Sequence, residues 1–215
     1  MIQEQIKYCT LYNCDCMELL KTFPDKYFSL SIADPPYGII DHTTRNKQKD
    51  GVKAFCYDKK ISEWDNPPDE EYFSELFRVS KYQIICGGNY FKLPPSRNFI
   101  IYNKTNIPES FSMAMCEYLW TNLPGNARIF NYHAKPDINR FHSAQKPVSL
   151  YKWLLSKYAK PDWKILDTHL GSGSIAVACN EMGFSLTASE IDSDYFNSAC
   201  ERIREAAKQG DLFIA

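Results

Sequence analysis

The sequence predicts an α/β domain with a doubly wound, mostly parallel sheet. Two observations carry this. Short apolar runs of strand length alternate with segments whose apolar residues recur at helical spacing, the pattern of βαβ units. Two of those runs lead into turns suited to ligands, Asp34-Pro35-Pro36-Tyr37 and Gly171-Ser172-Gly173-Ser174. In open α/β sheets, ligands bind at the carboxyl ends of strands.

Taken in order, residues 7–13 have the composition of a strand, and 14–21 of a turn and helix. Residues 28–33 are a buried strand ending at Asp34. Residues 38–68 lack periodicity and read as a long polar loop, a feature often tied to function. Residues 70–80 set Tyr72, Phe73, Leu76, Phe77 and Val79 on one helical face. Residues 82–86 form a strand stopped by Gly87-Gly88, and 98–102 and 115–120 are two more strands around a loop. Residues 123–143 are irregular and polar. Residues 148–158 are helical, with Leu150, Trp153, Leu154 and Tyr158 on one side. Residues 163–166 are a strand, and 175–182 a helix that Gly183 ends. Residues 184–188 form a strand followed by Glu190. The last helix, 194–208, carries Tyr195, Ala199, Ile203 and Ala206 in register.

At 215 residues the chain fits one domain, 1–215, with a substantial core. A hydrophobic share of 44% and a charged share of 24% suit an ordinary globular protein. No apolar stretch reaches membrane-spanning length, and the first five residues lack the basic and apolar regions of a secretory signal. The eight cysteines are scattered without a CxxC pair, and the four histidines complete no zinc spacing. Reduced thiols in a cytoplasmic protein, with no metal, are the expectation.

A net charge of -1 argues against a passive polyanion binder. Charge is nevertheless uneven. Arg45, Lys47, Lys49 and Lys53 gather in one segment, and Arg128 and Arg140 in another. Both segments suit a phosphate backbone as well as a plain solvated loop.

Asp34-Pro35-Pro36-Tyr37 is a rigid polar corner. Proline fixes φ and pushes the preceding residue to extended geometry, so the carbonyls point in set directions. An acid, a constrained carbonyl and a ring are what a planar, amine-bearing base requires: acceptors for N–H groups and a stacking face. The second corner, Asp167-Thr168-His169-Leu170-Gly171-Ser172-Gly173, offers glycines for close backbone approach and helix-start N–H donors. Glu190, about twenty residues on, is placed for ribose hydroxyls. Ala176 stands where a third glycine would be, and Asp167 would repel a phosphate but suits a cationic ligand end. The set favours S-adenosylmethionine over a dinucleotide.

With these motifs in place, the chain resembles the N-4/N-6 DNA methylases, and in particular the permuted, beta-class adenine-N6 enzymes. In that family the Asp-Pro-Pro-Tyr precedes the cofactor glycines, as here. The resemblance implies a Rossmann-like S-adenosylmethionine-dependent methyltransferase fold in circularly permuted motif order. It extends to Asp15-Cys16, whose acid would lie near the cofactor adenine, to Gln145-Lys146-Pro147, implied in the methionine pocket, and to Glu190-Ile191. His169 departs from the family's usual aromatic. The resemblance implies double-stranded DNA as partner, with recognition confined to 38–68 and 105–141 or shared with a second copy in a homodimer. It implies base extrusion, Tyr37 stacking on the base, and Asp34 and the Pro35 carbonyl accepting the two amino N–H bonds. Cytosine N4, RNA or protein amines, and a non-catalytic DNA-binding module remain open at this point.

Overall fold

The computed structural model describes residues 2–39, 65–111, 114–133, 141–142 and 144–212. Among them nine strands form one sheet: β1 Ile2–Ile6, β2 Cys9–Asn13, β3 Phe28–Ala33, β4 Ser80–Cys86, β5 Phe99–Lys104, β6 Cys116–Thr121, β7 Arg128–Tyr132, β8 Lys164–Asp167 and β9 Ser185–Glu190. The helices are α1 Cys16–Leu20, α2 Glu70–Val79, α3 Val148–Tyr158, α4 Ser174–Met182 and α5 Ser193–Leu212. The strand order is β1-β2-β9-β8-β3-β4-β6-β5-β7. The central run from β2 to β4 is parallel, whereas β1 and β6 pair antiparallel with their neighbours.

The strands bury both faces, so alternate residues enter different cores. Ile84 and Ile165 join Leu150, Leu154, Ile175, Phe196 and Ile203 of α3, α4 and α5 on one face. Their neighbours Ile85 and Leu166 join Leu20, Tyr72, Leu76 and Val79 of α1 and α2 on the other. The helix ends follow local rules. The Asp69 carboxylate caps α2 by accepting from Tyr72 N at 3.0 Å, with Glu70 and Glu71 in the first turn and Arg78 in the last, as the helix dipole favours. Gly183, at φ 76, ends α4 as its position predicts.

The winding places the site. From β8 the chain passes through α4 into β9. From β3 it passes through α2 into β4, on the other side and over the other face. β3 and β8 are parallel neighbours, with Leu30 opposite Ile165 and Ser31 opposite Leu166. They therefore flank the topological switch point, and both ligand-suited corners leave the same edge of the sheet.

The structure corrects the sequence reading at two places. Lys7, at φ 49, and Tyr8 form a turn rather than the start of a strand, and they join β2 to the antiparallel β1. β7 lies inside the stretch read as irregular. It is a half-exposed edge strand, Arg-Ile-Phe-Asn-Tyr, whose pairing with β5 supplies an order that its own pattern does not signal. No helix among the described residues is long and apolar enough to cross a membrane.

Candidate active site

Asp34 leaves the end of β3 with both carboxylate oxygens engaged. The Tyr37 hydroxyl donates to Oδ1 at 2.5 Å, and the Lys146 ammonium donates to Oδ2 at 2.5 Å. Lys146 Nζ also donates to the Tyr37 oxygen at 3.2 Å. Beyond it, Glu117 Oε2 lies 3.2 Å from the same ammonium, an ion pair too poorly angled to count as a directed hydrogen bond. Lys104 Nζ meets Glu117 Oε1 at 2.7 Å. Four alternating charges thus run from β3 to β5: Asp34, Lys146, Glu117, Lys104.

This chain of charges is withdrawn from water. Lys146 is 6% exposed, Lys104 13%, Asp34 16% and Glu117 22% by side chain. Burial works against the Lys146 charge, but Asp34 and Glu117 overcome it and raise its pKa well above the ordinary lysine value. Burial likewise acts to raise Glu117, and the Lys146 and Lys104 ammoniums reverse that, holding it at about 2. Burial, and then the Asp34 charge, raise the Tyr37 phenol, which stays a neutral donor.

The Tyr37 ring lies against bare backbone. Gly87 sits at φ 65, and a Cβ there would fall 2.3 Å from Tyr37 Cε1, so only glycine seats the ring. Tyr90, itself 47% exposed, stacks on Tyr37 with centroids 5.0 Å apart and planes at 20°.

The second corner is held by its own side chains. Asp167, 2% exposed, accepts from His169 N at 3.0 Å. Burial, with Asp34 and Glu190 nearby, raises its pKa to about 8, despite the His169 N–H. Thr168 Oγ1 bonds the Tyr72 hydroxyl at 2.7 Å, which ties α2 to the turn, and meets His169 Nδ1 at 2.9 Å. Burial lowers His169 to about 4, so the imidazole is neutral. Glu190 accepts Gly171 N at 2.8 Å on one oxygen and Asp192 N at 3.0 Å on the other, leaving a further lone-pair site on each. Asp15 caps α1 through Met17 N at 2.7 Å, and its neighbour Cys16 is half-buried. Ile191 is 65% exposed at the end of β9.

The two glycines differ. A Cβ on Gly171 would lie 3.4 Å from the His142 imidazole, which packs on Tyr195 with centroids 4.5 Å apart. A Cβ on Gly173, at φ 73, would lie 2.9 Å from Ile203 Cδ1. Gly173 therefore lets α5 pack on the turn, its Cβ side filled by Ile203, while that of Gly171 faces the His142 imidazole. Arg202 Nη1 bonds Ser172 O at 2.7 Å and Ser174 Oγ at 3.0 Å, fastening the turn to α5.

The structure thus brings Asp34, Tyr37 and Lys146 together, and sets Asp167–Gly173 and Glu190 on the neighbouring strands. It separates Arg128. β7 runs parallel to β5, so Arg128 begins the far edge strand at the opposite end of the sheet from Asp34. Arg45, Lys47, Lys49, Lys53 and Arg140 lie outside the described residues. Among the described residues no cluster of three metal-ligating side chains occurs. Sequence reasoning passed over Glu117 and Lys104. The signal was available: a carboxylate inside an apolar strand asks for a buried cation.

Comparison with known proteins places this arrangement. Residues 114–201 match a family model described as DNA methylase, a stretch that holds Glu117, Lys146, the glycine turn and Glu190. The type II methyltransferase M.HinfI of Haemophilus influenzae is 24% identical over 91% of this chain and 68% of its own length. The match to the N6/N4 DNA methylase family is thus carried by residues 114–201, with the relative alike along most of the chain. Solved structures agree in fold. The M1.HpyAVI–SAM complex is 19% identical, with a TM-score of 0.61 over 90% of this chain and 99% of its own. The cytosine-N4-specific PvuII DNA methyltransferase is 13% identical, with a TM-score of 0.59 over 94% and 92%. The likeness in fold therefore reaches well beyond the matched segment 114–201.

Proposed function

We propose that this protein is a DNA methylase that transfers a methyl group from S-adenosylmethionine to the N6 amino group of adenine in double-stranded DNA, in the cytoplasm. The observation that carries the reading is the shared edge: Asp34 and Asp167 end adjacent parallel strands at the switch point. The donor set suits this methyl donor. Glu190 has lone pairs for a ribose diol, Asp167 is an acid for an ammonium group, and exposed Ile191 with Asp15 and Cys16 borders the adenine side. His142 and His169 flank the glycine turn with flat imidazole faces, His169 kept neutral by burial, and Thr168 and Leu170 fix its course.

When bound, S-adenosylmethionine supplies a methyl group on a positively charged sulfur; the S–C bond breaks as the new N–C bond forms, and the amine loses one proton. The chain's own residues supply alignment and electrostatics. Each Asp34 oxygen accepts one internal bond and keeps a site for an amino N–H. Pro35 directs its carbonyl to the second N–H, and Pro36 holds the corner. Pulling on both N–H groups draws the nitrogen lone pair out of the ring. Lys146 and Tyr37 hold Asp34 aimed. The lysines and arginines of 38–68, with Arg140, are proposed to meet the phosphate backbone.

Cytosine N4 is the second reading, favoured by the likeness to the PvuII enzyme. The acid at position 34 supports adenine. Incubation with labelled S-adenosylmethionine and duplex DNA, followed by nucleoside analysis, tests both. N6-methyladenine is expected. N4-methylcytosine moves the assignment to the second reading, and label only in RNA or protein, or none, defeats both.

A further inference from the structure

We propose that Glu117, anchored by Lys104, is a positioning residue for methyl transfer: it holds the Lys146 ammonium between two carboxylates so that Asp34 stays free to accept the amino group. The inference rests on the functional reading above and concerns residues to which that reading gives no part.

The Lys146 ammonium has three N–H donors. Around it stand Asp34 Oδ2 at 2.5 Å, the Tyr37 oxygen at 3.2 Å and Glu117 Oε2 at 3.2 Å. Asp34 comes from the end of β3 and Glu117 from β6, and Cys86, on β4, is near enough to act on the Lys146 charge. Asp167, at the end of β8, and Tyr151, on α3, also feel the Lys146 charge. A lone ammonium beside Asp34 would settle fully on it and neutralise the acceptor that the chemistry needs. A second carboxylate on the far side divides that pull. Lys104 takes the outer Glu117 oxygen at 2.7 Å, so Glu117 cannot swing in to replace Asp34. Register supports the placement, because Tyr102 pairs with Glu117 and Lys104 follows two residues on, across adjacent strands.

Stability alone does not call for this arrangement. Buried charges lose much of their hydration, and apolar residues of similar volume fill such space at least as well. A four-charge chain ending on the acid of the catalytic corner fits a demand for orientation. Tyr37 closes the arrangement by donating to Asp34 Oδ1 at 2.5 Å while accepting from Lys146.

The test compares wild-type protein with Glu117→Gln and Glu117→Asp. Rates are measured across alkaline pH, and the Lys146 Cε resonance is followed by NMR on ¹³C-lysine protein, assigned by its loss in Lys146→Met. In Glu117→Gln, kcat is expected to fall about tenfold at neutral pH, with KM for S-adenosylmethionine and DNA nearly unchanged. Its rate should also gain a falling alkaline limb. Lys146 should titrate about one pH unit or more earlier, since one of its two carboxylates is gone. Glu117→Asp should restore much of the rate. Loss of rate and folding without movement of the limb or of the Lys146 titration reduces Glu117 to a structural part and overturns the proposal, as does a wild-type rate. A wild-type protein that transfers no methyl group to any nucleic acid defeats the functional reading itself, and that result is visible before any variant is made.

Discussion

Replacing Lys146 with Met tests the electrostatics of the site without reference to catalysis. Methionine keeps the length and apolar stem and removes the charge. In the folded protein Glu117 is held at about 2, against about 4.3 in an unfolded chain. At 1.36 kcal/mol per pH unit, its ionised form contributes about 3 kcal/mol, shared between Lys146 and Lys104. Losing Lys146 forfeits roughly half of that and leaves Asp34 without its cation. Breaking a buried pair costs about 3–5 kcal/mol, less here because Asp34 and Glu117 keep some contact with water. A net loss of about 3 kcal/mol follows, or roughly 6–12 °C in Tm for a chain of this size. The sign with pH is fixed. Glu117 has a depressed folded pKa, so its contribution is present above about 4.3 and disappears as pH falls towards about 2. Urea unfolding of both proteins followed by circular dichroism should therefore give curves far apart at pH 7 that converge in acid. A loss under about 1 kcal/mol at pH 7, or a gap independent of pH, refutes the reasoning.

Asp34→Asn should lower kcat by at least about 100-fold while leaving S-adenosylmethionine affinity, measured by calorimetry, within a few-fold. Gly173→Ala should destabilise by about 1–3 kcal/mol, because Cβ meets Ile203 Cδ1 at 2.9 Å and φ is 73; Ile203→Val in the same chain should restore part of the loss in denaturation curves. Asp167 holds its proton up to about pH 8, so the unliganded fold loses stability as pH rises from about 4 through about 8. Binding of a cationic ligand should then release a proton below pH 8 and tighten as pH rises. Calorimetry in buffers of different ionisation enthalpy reads that proton, and Asp167→Asn should abolish it.

Much of this was legible from residue order. Segment 28–33 followed by an acid and two prolines reads as a strand ending in a rigid corner. Asp167 before two glycines, with Glu190 a strand later, gave the second corner. Helix 148–158 emerged with its observed bounds because Leu150 and Leu154 mark a single face. What stayed hidden depends on contacts distant in sequence. β7 has no apolar period of its own and is ordered by pairing with β5. Arg128 stands at the opposite end of the sheet from Asp34, a placement set by strand direction and not by its neighbours in sequence. Glu117 and Lys146 are 29 positions apart, and nothing local reveals that they meet, or that Lys146 reaches Asp34. Gly173 was read as room for a ligand, whereas Ile203, thirty residues later, occupies that space.

The most direct measurement is a structure of the protein with S-adenosylhomocysteine bound. The account predicts the ribose diol on Glu190, the amino group towards Asp167 and the thioether sulfur facing the Asp34 carboxylate across an open gap wide enough for an exocyclic amine. A ligand seated away from the Gly171 turn, or a sulfur screened from Asp34 by protein, would contradict it.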